Sequence, residues 1–391
     1  MNMLLFNSYF CKVCNKRIYF YQYRPNGSKK RSRVVVCNNC CLVQSIFKDV
    51  NVARKPSLSS NADWGNVRHG KKLRLDSQKK LINFENILKG NILDIGSNRG
   101  DFIKFASEFT NVMDIYGVEP DEKIIDYENI KNFNIINSPI ERVNFESNLK
   151  FDFIYCSHTL EHLNEFNKLF TLFDKYLDED GKILIDIPNI NFIENESVIE
   201  EFFIDKHTFH FSKLSFKNLV NNFKFEIVSE IEDGFNLIYI IKNFPTDNKQ
   251  KQKMYNHEIK STKKHLKNYK KNLKTNRGKL KTIVNKEFNK IIDKKKVVIW
   301  GAGRILDSLI NYGNLELNEN TMLVDRYLKD LPNDIDQNIY GNKIFDPSEL
   351  FNFKPDYIFI LANSAEQEIK NSLSDLPKEK ILAWSQIIRK Y

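Results

Sequence analysis

The sequence predicts an α/β fold in which a small metal-binding module precedes two parallel sheets. From about residue 75 to 243, short apolar runs alternate with segments of helical period, which is typical of βαβ units. A strand, a glycine turn and the start of a helix follow one another at 91–103, and the same order returns at 296–304. Two Cys-x-x-Cys pairs lie within the first 50 residues. These three observations define the predicted fold class.

The chain has 391 residues, which suits two or three domains because a domain averages roughly 150 residues. Changes in composition predict four parts: a zinc-binding module and connector over 1–74, an α/β core over 75–245, a Lys-rich connecting helix over 246–293, and a second α/β domain over 294–391. The connecting segment has apolar residues at every third or fourth position. This spacing predicts an amphipathic helix, broken near Gly278.

Composition and charge exclude several classes of protein. Hydrophobic residues make up 41% of the chain and charged residues 28%, which is a globular balance. No run approaches the roughly 18 apolar residues of a bilayer span, and the first residues lack the basic flank of a secretory signal, so we expect a cytoplasmic protein. The net charge of +10 is local, because 249–296 holds 18 basic and 3 acidic residues. It is therefore weak evidence for a nucleic-acid-binding surface.

The cysteine pairs predict a structural zinc site. Cys11 and Cys14 form the first pair, and Cys37 and Cys40 form the second after a gap of 22 residues. Each pair suits a tight turn that directs two thiolates to one point, and two such turns complete a tetrahedron around zinc. Hairpin strands over 17–20 and 33–36 are expected to carry the turns. Cys41 is expected to pack, and the alternative function of the cluster is a redox dithiol.

The first glycine turn predicts a nucleoside-binding site at the edge of the sheet. Gly96 and Gly100 follow a buried strand and let the backbone pass close to a ligand. Glu119 ends the next strand, about 20 residues later, where a carboxylate can hold both hydroxyls of a ribose. The dinucleotide pattern G-x-G-x-x-G is not met, because Ser97 and Asn98 occupy the place of its second glycine. A nucleoside without a diphosphate therefore fits better.

This turn, D-x-G-x-x-x-G with a following strand-end acid, resembles the S-adenosylmethionine site of class I methyltransferases. Three later segments agree in order: 151–163 resembles the fourth strand and its H-x-L-E-H continuation, 176–189 resembles the fifth strand, and Asn137 follows the third strand where that family contacts adenine. The resemblance implies S-adenosylmethionine as cofactor. The cofactor-binding residues that it implies are Asp94, Gly96, Ser97, Asn98, Gly100, Glu119, Pro120, Asn137, Ser138, Cys156 and His158.

The order of parts also resembles the nucleotide-sugar C-methyltransferases, which methylate a sugar carbon beside a carbonyl. This resemblance covers nearly the whole chain, with similar segments at 94–98, 187–189, 345–347 and 355–360. It implies a class I methyltransferase Rossmann-like core, flanked by a small N-terminal zinc module and a second, C-terminal Rossmann-like domain. The implied substrate is a nucleotide-activated sugar or a related glycan precursor.

One segment departs from that family. The family carries Tyr-x-Glu-His where this chain has Ile204, Lys206 and His207, so the expected Tyr and Glu are missing. The Tyr expected near the exit of the zinc module is not evident either, and Trp64, Arg68 and His69 occupy that neighbourhood. The substrate must lose a proton to a nearby base, and the catalytic candidates are His207 and His210. A histidine base serves an enolisable carbon or a hydroxyl, so C- and O-methylation both stay open.

Two further features have more than one interpretation. His158 and His162 are expected on one helix, four residues apart and facing the same way, where a metal would need acids from elsewhere. In the second glycine turn, Gly301 and Gly303 follow a strand, and Asp325 ends the next one. This second turn suits substrate-nucleotide binding, a structural or dimerising role, or an independent dinucleotide site. The Lys-rich helix is either a solvated face or a contact for a substrate diphosphate.

Two other function classes remain open at this stage. A nucleic-acid methyltransferase would explain the zinc module and the basic helix, but 156–158 lacks the (D/N)-P-P-(Y/F) turn of amino-methylating enzymes. A small-molecule O-methyltransferase outside sugar metabolism would use the same core. Failure to bind the cofactor would instead favour a scaffold that only binds.

Overall fold

The computed structural model describes residues 10–18, 32–47, 77–83, 86–122, 125, 130, 132–194, 203, 207–233, 236–244, 256–326, 338–339 and 342–391. The substitutions Ile204 and Lys206, together with Trp64, Arg68 and His69, lie outside these residues.

The described strands form three sheets. In chain order they are β1 (Ser32–Val36), β2 (Val43–Phe47), β3 (Gly90–Ile95), β4 (Val112–Val118), β5 (Asn134–Ile136), β6 (Phe151–Ser157), β7 (Leu177–Pro188), β8 (Phe209–His210), β9 (Phe225–Asp233), β10 (Asn236–Asn243), β11 (Val297–Trp300), β12 (Thr321–Val324), β13 (Asn338–Ile339), β14 (Asn342–Phe345), β15 (Tyr357–Ile360) and β16 (Ile381–Ala383).

The α-helices are α1 (Asp101–Ala106), α2 (Phe166–Tyr176), α3 (Lys213–Asn222), α4 (Asn256–Ile283), α5 (Lys290–Ile292), α6 (Arg304–Asn311), α7 (Leu350–Phe353), α8 (Glu366–Ser372) and α9 (Trp384–Ile388). Residues 77–83 are also helical. Short 3₁₀ turns cover Ile140–Arg142, Leu160–His162, Ile190–Glu194, Pro347–Glu349, Asn363–Ala365 and Lys378–Lys380.

The central sheet has seven strands in the order β5-β4-β3-β6-β7-β10-β9. The strands from β5 to β7 are parallel, whereas β10 is antiparallel to both of its neighbours. Because side chains alternate along a strand, Ile92 packs with α1 and 77–83 on one face. The next residue, Leu93, packs with α2 and α3 on the other face. Both faces are therefore covered, and the carboxyl ends of five parallel strands meet at one edge.

The N-terminal sheet is small and receives a strand from the distant part of the chain. β1 and β2 form a hairpin that pairs Val36 with Val43, so Cys37 and Cys40 lie in its turn. The predicted strand over 33–36 is thus confirmed. Only residues 17 and 18 of the predicted strand over 17–20 are described, and Arg17 makes an isolated antiparallel bridge to Phe10. β8 pairs with β2 and completes the sheet. We call residues 10–18 and 32–47 the cysteine module.

The C-terminal sheet has the order β13-β14-β12-β11-β15-β16, and its strands are parallel except for β13. Helices α6 and α9 cover one face, and α7 and α8 cover the other. The second predicted α/β domain therefore has the expected parallel sheet.

The connecting helix α4 is continuous, so the predicted break near Gly278 is wrong. A glycine costs about 1 kcal/mol in a helix, and the buried Leu280 and Ile283 after it anchor the next turn. The middle of α4 packs through Leu266 and Leu273 on β1 and β2. Its end packs on the C-terminal sheet, after which a π-helical turn covers Val284–Asn289.

Within the described ranges, no helix combines the length and the apolar character that crossing a membrane requires.

Candidate functional site

The structure brings the four predicted zinc ligands together. Cys11 Sγ lies 3.4 Å from Cys40 Sγ, and Cys14 Sγ lies 3.5 Å from Cys37 Sγ. All four sulfur atoms lie within 4.8 Å of one another. Tetrahedral zinc with bonds of about 2.3 Å separates its sulfur ligands by roughly 3.8 Å, so the cluster has the donor set and the spacing for this ion.

The ionisation of the thiols supports the same assignment. A hydrogen bond from Cys11 lowers the pKa of Cys14 and of Cys37, whereas hydrogen bonds within the cluster raise the pKa of Cys11 and of Cys40. Four thiolates this close together repel one another, so a divalent cation is needed before all four ionise together. Cys41 is buried beside the cluster, as predicted, and burial raises the pKa of its thiol.

The first glycine turn lies where β3 ends and α1 begins. Gly96 has a φ of 76°, a left-handed conformation that favours glycine, and its N–H donates to the Val118 carbonyl at 2.8 Å. A Cβ at Gly96 would also lie 2.2 Å from Thr159 Oγ1, so the turn after β6 packs directly against it. The peptide of Gly100, also left-handed, closes the loop by donating to the Ser97 carbonyl at 2.8 Å.

Glu119 lies beside this turn, as the spacing predicts. Its Oε2 accepts from the Asn98 N–H and its Oε1 accepts from the Asp121 N–H, both at 3.0 Å. Burial raises the pKa of this carboxyl, and the two backbone donors oppose that shift. Each oxygen keeps a second lone pair, which is what the two hydroxyls of a ribose require.

Two buried polar atoms at the same edge support the predicted cofactor. Among the described residues, no donor reaches Asp94 Oδ1 and no partner reaches Ser97 Oγ, although both residues are buried. Burial raises the pKa of Asp94, and the neighbouring Glu119 and Asp101 carboxylates raise it further. Clustered, buried carboxylates favour a ligand that carries positive charge and hydrogen-bond donors. The ammonium, ribose and sulfonium groups of S-adenosylmethionine meet these demands.

The remaining predicted cofactor residues divide into two groups. The Asn137 side chain donates to the Glu119 carbonyl at 2.9 Å, and Ser138 and the exposed Pro120 flank the same pair of strand ends. His158 directly follows β6 with a φ of 50° and lies at the edge of the sheet. Cys156, in contrast, is completely buried in the apolar cluster under α2, so its side chain packs in the core rather than lining the edge.

A buried polar network beside the site was not predicted. Asp186, in the apolar strand β7, accepts from Gln78 at 2.5 Å and from Ser157 at 3.1 Å. Tyr155 donates to Gln78 at 2.5 Å and completes the network. An acid inside the apolar run 183–187 was the available sequence signal, because a buried charge needs partners.

Histidines and a second buried acid follow β6. The prediction that His158 and His162 share one helix is wrong, because His158 is left-handed and a short 3₁₀ turn begins at Leu160. Their common neighbour is Glu161, whose Oε1 lies 3.2 Å from His158 Nδ1 and 4.0 Å from His162 Nε2. His158 Nε2 also lies 3.7 Å from Asp186 Oδ2. Glu161 is only 1% exposed and was not predicted as a site residue.

The two candidate bases differ in their surroundings. His207 is half-buried, and its ring contacts the His162 ring edge-on with centroids 4.7 Å apart. His210 is 3% exposed in β8, and its Nε2 lies 2.8 Å from Ser45 Oγ of the cysteine module. Burial lowers the pKa of His210 to about 3, so its imidazole is neutral at physiological pH.

The C-terminal sheet repeats the arrangement of the first glycine turn. Gly301 follows β11 with a φ of 108°, and the buried Asp325 follows β12. Asp325 Oδ2 accepts from the Ala302 N–H at 3.1 Å, as Glu119 accepts from Asn98.

The comparisons with known proteins divide the chain in the same way. Residues 68–230 match the family model described as a methyltransferase domain, and residues 293–382 match the model described as C2185-like, N-terminal. No curated protein matches the chain.

Solved structures that resemble the chain include an S-adenosylmethionine-dependent methyltransferase from Clostridium acetobutylicum, at 12% identity and a TM-score of 0.37 over 43% of this chain and 90% of that one. The N-methyltransferase NodS from Bradyrhizobium japonicum shows 13% identity and a TM-score of 0.35 over 45% and 98%. A Burkholderia thailandensis 1,6-didemethyltoxoflavin-N1-methyltransferase shows 13% identity and a TM-score of 0.38 over 58% and 100%.

The family match covers the same residues that build the glycine turn, the Glu119 carboxylate and the buried Asp94. The chain therefore contains a class I S-adenosylmethionine-dependent methyltransferase domain.

Proposed function

We propose that this methyltransferase transfers its methyl group to a nucleotide-activated sugar or a related glycan precursor. The observation that carries the proposal is the pair formed by Asp325 and the Ala302 N–H in the C-terminal sheet. In the cofactor site, Glu119 accepts a hydrogen bond from the first glycine turn in the same way, and that arrangement suits a ribose. One chain thus offers two ribose-type sites, and a methyl donor and a nucleotide-linked acceptor need one each.

S-adenosylmethionine supplies a methyl group that its sulfonium charge already activates. The protein must bind the acceptor in line with that methyl, exclude water and remove a proton from the attacking carbon or oxygen. His207 suits the last task better than His210. It is half-buried at the edge of the sheet, whereas His210 is enclosed and lies within hydrogen-bond distance of Ser45.

The experiment has two readouts. Calorimetry with S-adenosylhomocysteine measures the cofactor site, and calorimetry with UDP, GDP and dTDP measures the second site. We expect Asp325→Asn to weaken binding of the preferred nucleoside diphosphate at least about tenfold, the effect of a lost hydrogen bond to a charged group. The affinity for S-adenosylhomocysteine should not change. Asp375→Asn, an exposed acid in the same domain, is the matched control.

If no nucleoside diphosphate binds to a chain that still binds S-adenosylhomocysteine, the nucleotide-sugar proposal fails and the methyltransferase assignment stands. If a nucleoside diphosphate does bind, incubation with nucleotide-sugars and mass spectrometry of the product separates C- from O-methylation.

We also propose a cytoplasmic location, because none of the six cysteines forms a disulfide and reduced thiols persist in a reducing compartment.

A further inference from the structure

Three metal-binding side chains converge at the edge of the sheet, outside the cysteine module. One donor atom each from Glu161, His162 and His207 lies within 4.8 Å of the other two. Glu161 is buried, His207 is half-buried and His162 is partly exposed. The cluster therefore runs from a buried carboxylate to an exposed imidazole.

The backbone holds this arrangement from two sides. The Thr208 N–H donates to the Glu161 carbonyl at 2.8 Å, which fixes the segment that carries His207 against the turn that carries Glu161 and His162. On the other side, Thr159 Oγ1 donates to the Ile95 carbonyl at 3.0 Å, at the end of β3. The cluster is thus attached directly to the glycine turn of the cofactor site.

The three donor groups favour one class of metal ion. Two imidazoles and one carboxylate suit first-row transition-metal ions. A ligating carboxylate is commonly oriented by an outer partner, and His158 Nδ1 lies 3.2 Å from Glu161 Oε1 in that role. A buried carboxylate among histidines is also stabilised by a cation that shares its charge.

We propose that Glu161, His162 and His207 bind one divalent first-row transition-metal ion beside the methyl-donor site. In the metal-bound form the lone pair of His207 is on the ion, so the ion would replace His207 as the group that promotes proton loss. It would bind an oxygen of the acceptor and increase the acidity of the adjacent O–H or C–H group, whose proton would pass to solvent. This role for the ion rests on the proposed function, whereas the binding of the ion itself does not.

The test uses the full chain, loaded with one equivalent of zinc for the cysteine module and freed of weakly bound zinc with a chelator before its metal content is measured. Mn²⁺ is then titrated and free Mn²⁺ is followed by electron paramagnetic resonance. Co²⁺ is the second probe, and its absorption spectrum distinguishes nitrogen and oxygen ligands from thiolates. We expect one saturable site per chain that is distinct from the cysteines. Glu161→Gln and His162→Gln should each weaken it at least about tenfold.

Glu165→Gln is the matched control, since Glu165 is exposed and lies only four residues from Glu161. It should bind Mn²⁺ like the unaltered chain. A folded, zinc-loaded chain that binds neither Mn²⁺ nor Co²⁺, or that binds them equally well after Glu161→Gln, overturns the proposal. Because the readout is metal binding, a chain that binds Mn²⁺ but no nucleoside diphosphate keeps the metal site and loses the nucleotide-sugar proposal.

Discussion

Ser45 Oγ lies 2.8 Å from His210 Nε2, although the two residues are 165 positions apart in the chain. The contact joins the cysteine module to the segment that carries His207, because β8 pairs with β2 next to it. The cysteine module thus supports the segment that carries His207 at the methyltransferase site, and we expect a change in the module to alter that site.

The enclosed His210 predicts an acid-sensitive contribution to stability. Its pKa is lowered to about 3 in the folded chain, against about 6.5 when unfolded. Below pH 6.5 the unfolded chain therefore takes up a proton that the folded chain does not, so folding loses stability as pH falls from 6.5 towards 3. The contribution of His210 to the change in unfolding free energy with pH reaches about 1.4 kcal/mol per pH unit.

The variant His210→Gln should remove this part of the slope. Urea unfolding at pH 7, 6 and 5 measures it, and the same replacement at the exposed His257 is the control. Identical slopes for His210→Gln and the unaltered chain would contradict the prediction.

Loss of one zinc ligand should empty the cysteine module and destabilise it. We expect about one zinc per chain in the purified protein and much less in Cys37→Ser, with a lower melting temperature. Cys41→Ser is the matched control, because Cys41 is buried next to the cluster but is not one of its four ligands. The zinc content and the melting temperature of both variants test this prediction. Full zinc content in a stable Cys37→Ser chain would exclude the assignment.

The Glu119 carboxylate should govern cofactor affinity. Glu119→Gln keeps the shape of the side chain but removes the charge that would accept both ribose hydroxyls. A charge-assisted hydrogen bond contributes about 1.5–3 kcal/mol, so the dissociation constant of S-adenosylhomocysteine should rise at least about tenfold. Calorimetry measures it, with the exposed Glu122→Gln as control. If Glu119→Gln and Glu122→Gln bind S-adenosylhomocysteine equally well, another residue binds the ribose hydroxyls.

Two glycines should respond to alanine in opposite directions. At Gly301 the φ of 108° is unfavourable for alanine, and a Cβ would lie 2.6 Å from the Ala362 nitrogen, so Gly301→Ala should cost at least about 1–3 kcal/mol of unfolding free energy. At Gly278 a Cβ meets nothing within 4 Å, so Gly278→Ala should stabilise α4 by about 1 kcal/mol. Chemical unfolding of the full chain tests both. A destabilised Gly278→Ala chain would contradict the helix geometry.

Local sequence patterns predicted those parts of the site whose residues directly follow a strand. A glycine turn and an acid about 20 residues later were enough to place Glu119 beside Asn98 and Asp325 beside Ala302, because parallel neighbouring strands end at one edge. In the same way, the spacing of the two Cys-x-x-Cys pairs was enough to predict that their four thiols lie together.

The Glu161–His207 cluster was not predictable, because it depends on contacts between distant segments. It needs the hydrogen bond from Thr208 to Glu161 and the pairing of β8 with β2, and neither has a local signal. His210 shows the same limit, since its spacing near His207 gave no indication that Ser45 and Phe203 enclose it.

The π-helical turn after α4 sets the rotational phase of the helix against the core of the C-terminal sheet. In an α-helix each residue advances the side chain by about 100°, and the wider π turn accommodates one extra residue. Leu280 and Ile283 before this turn, Phe288 within it and Ile292 after it all pack in the core of the C-terminal sheet. Deleting a single residue from Val284–Asn289 would turn every later apolar side chain of the helix by that angle. A one-residue gap at this point in a relative would therefore mark a repacking of the helix against the C-terminal sheet, not a variation in loop length.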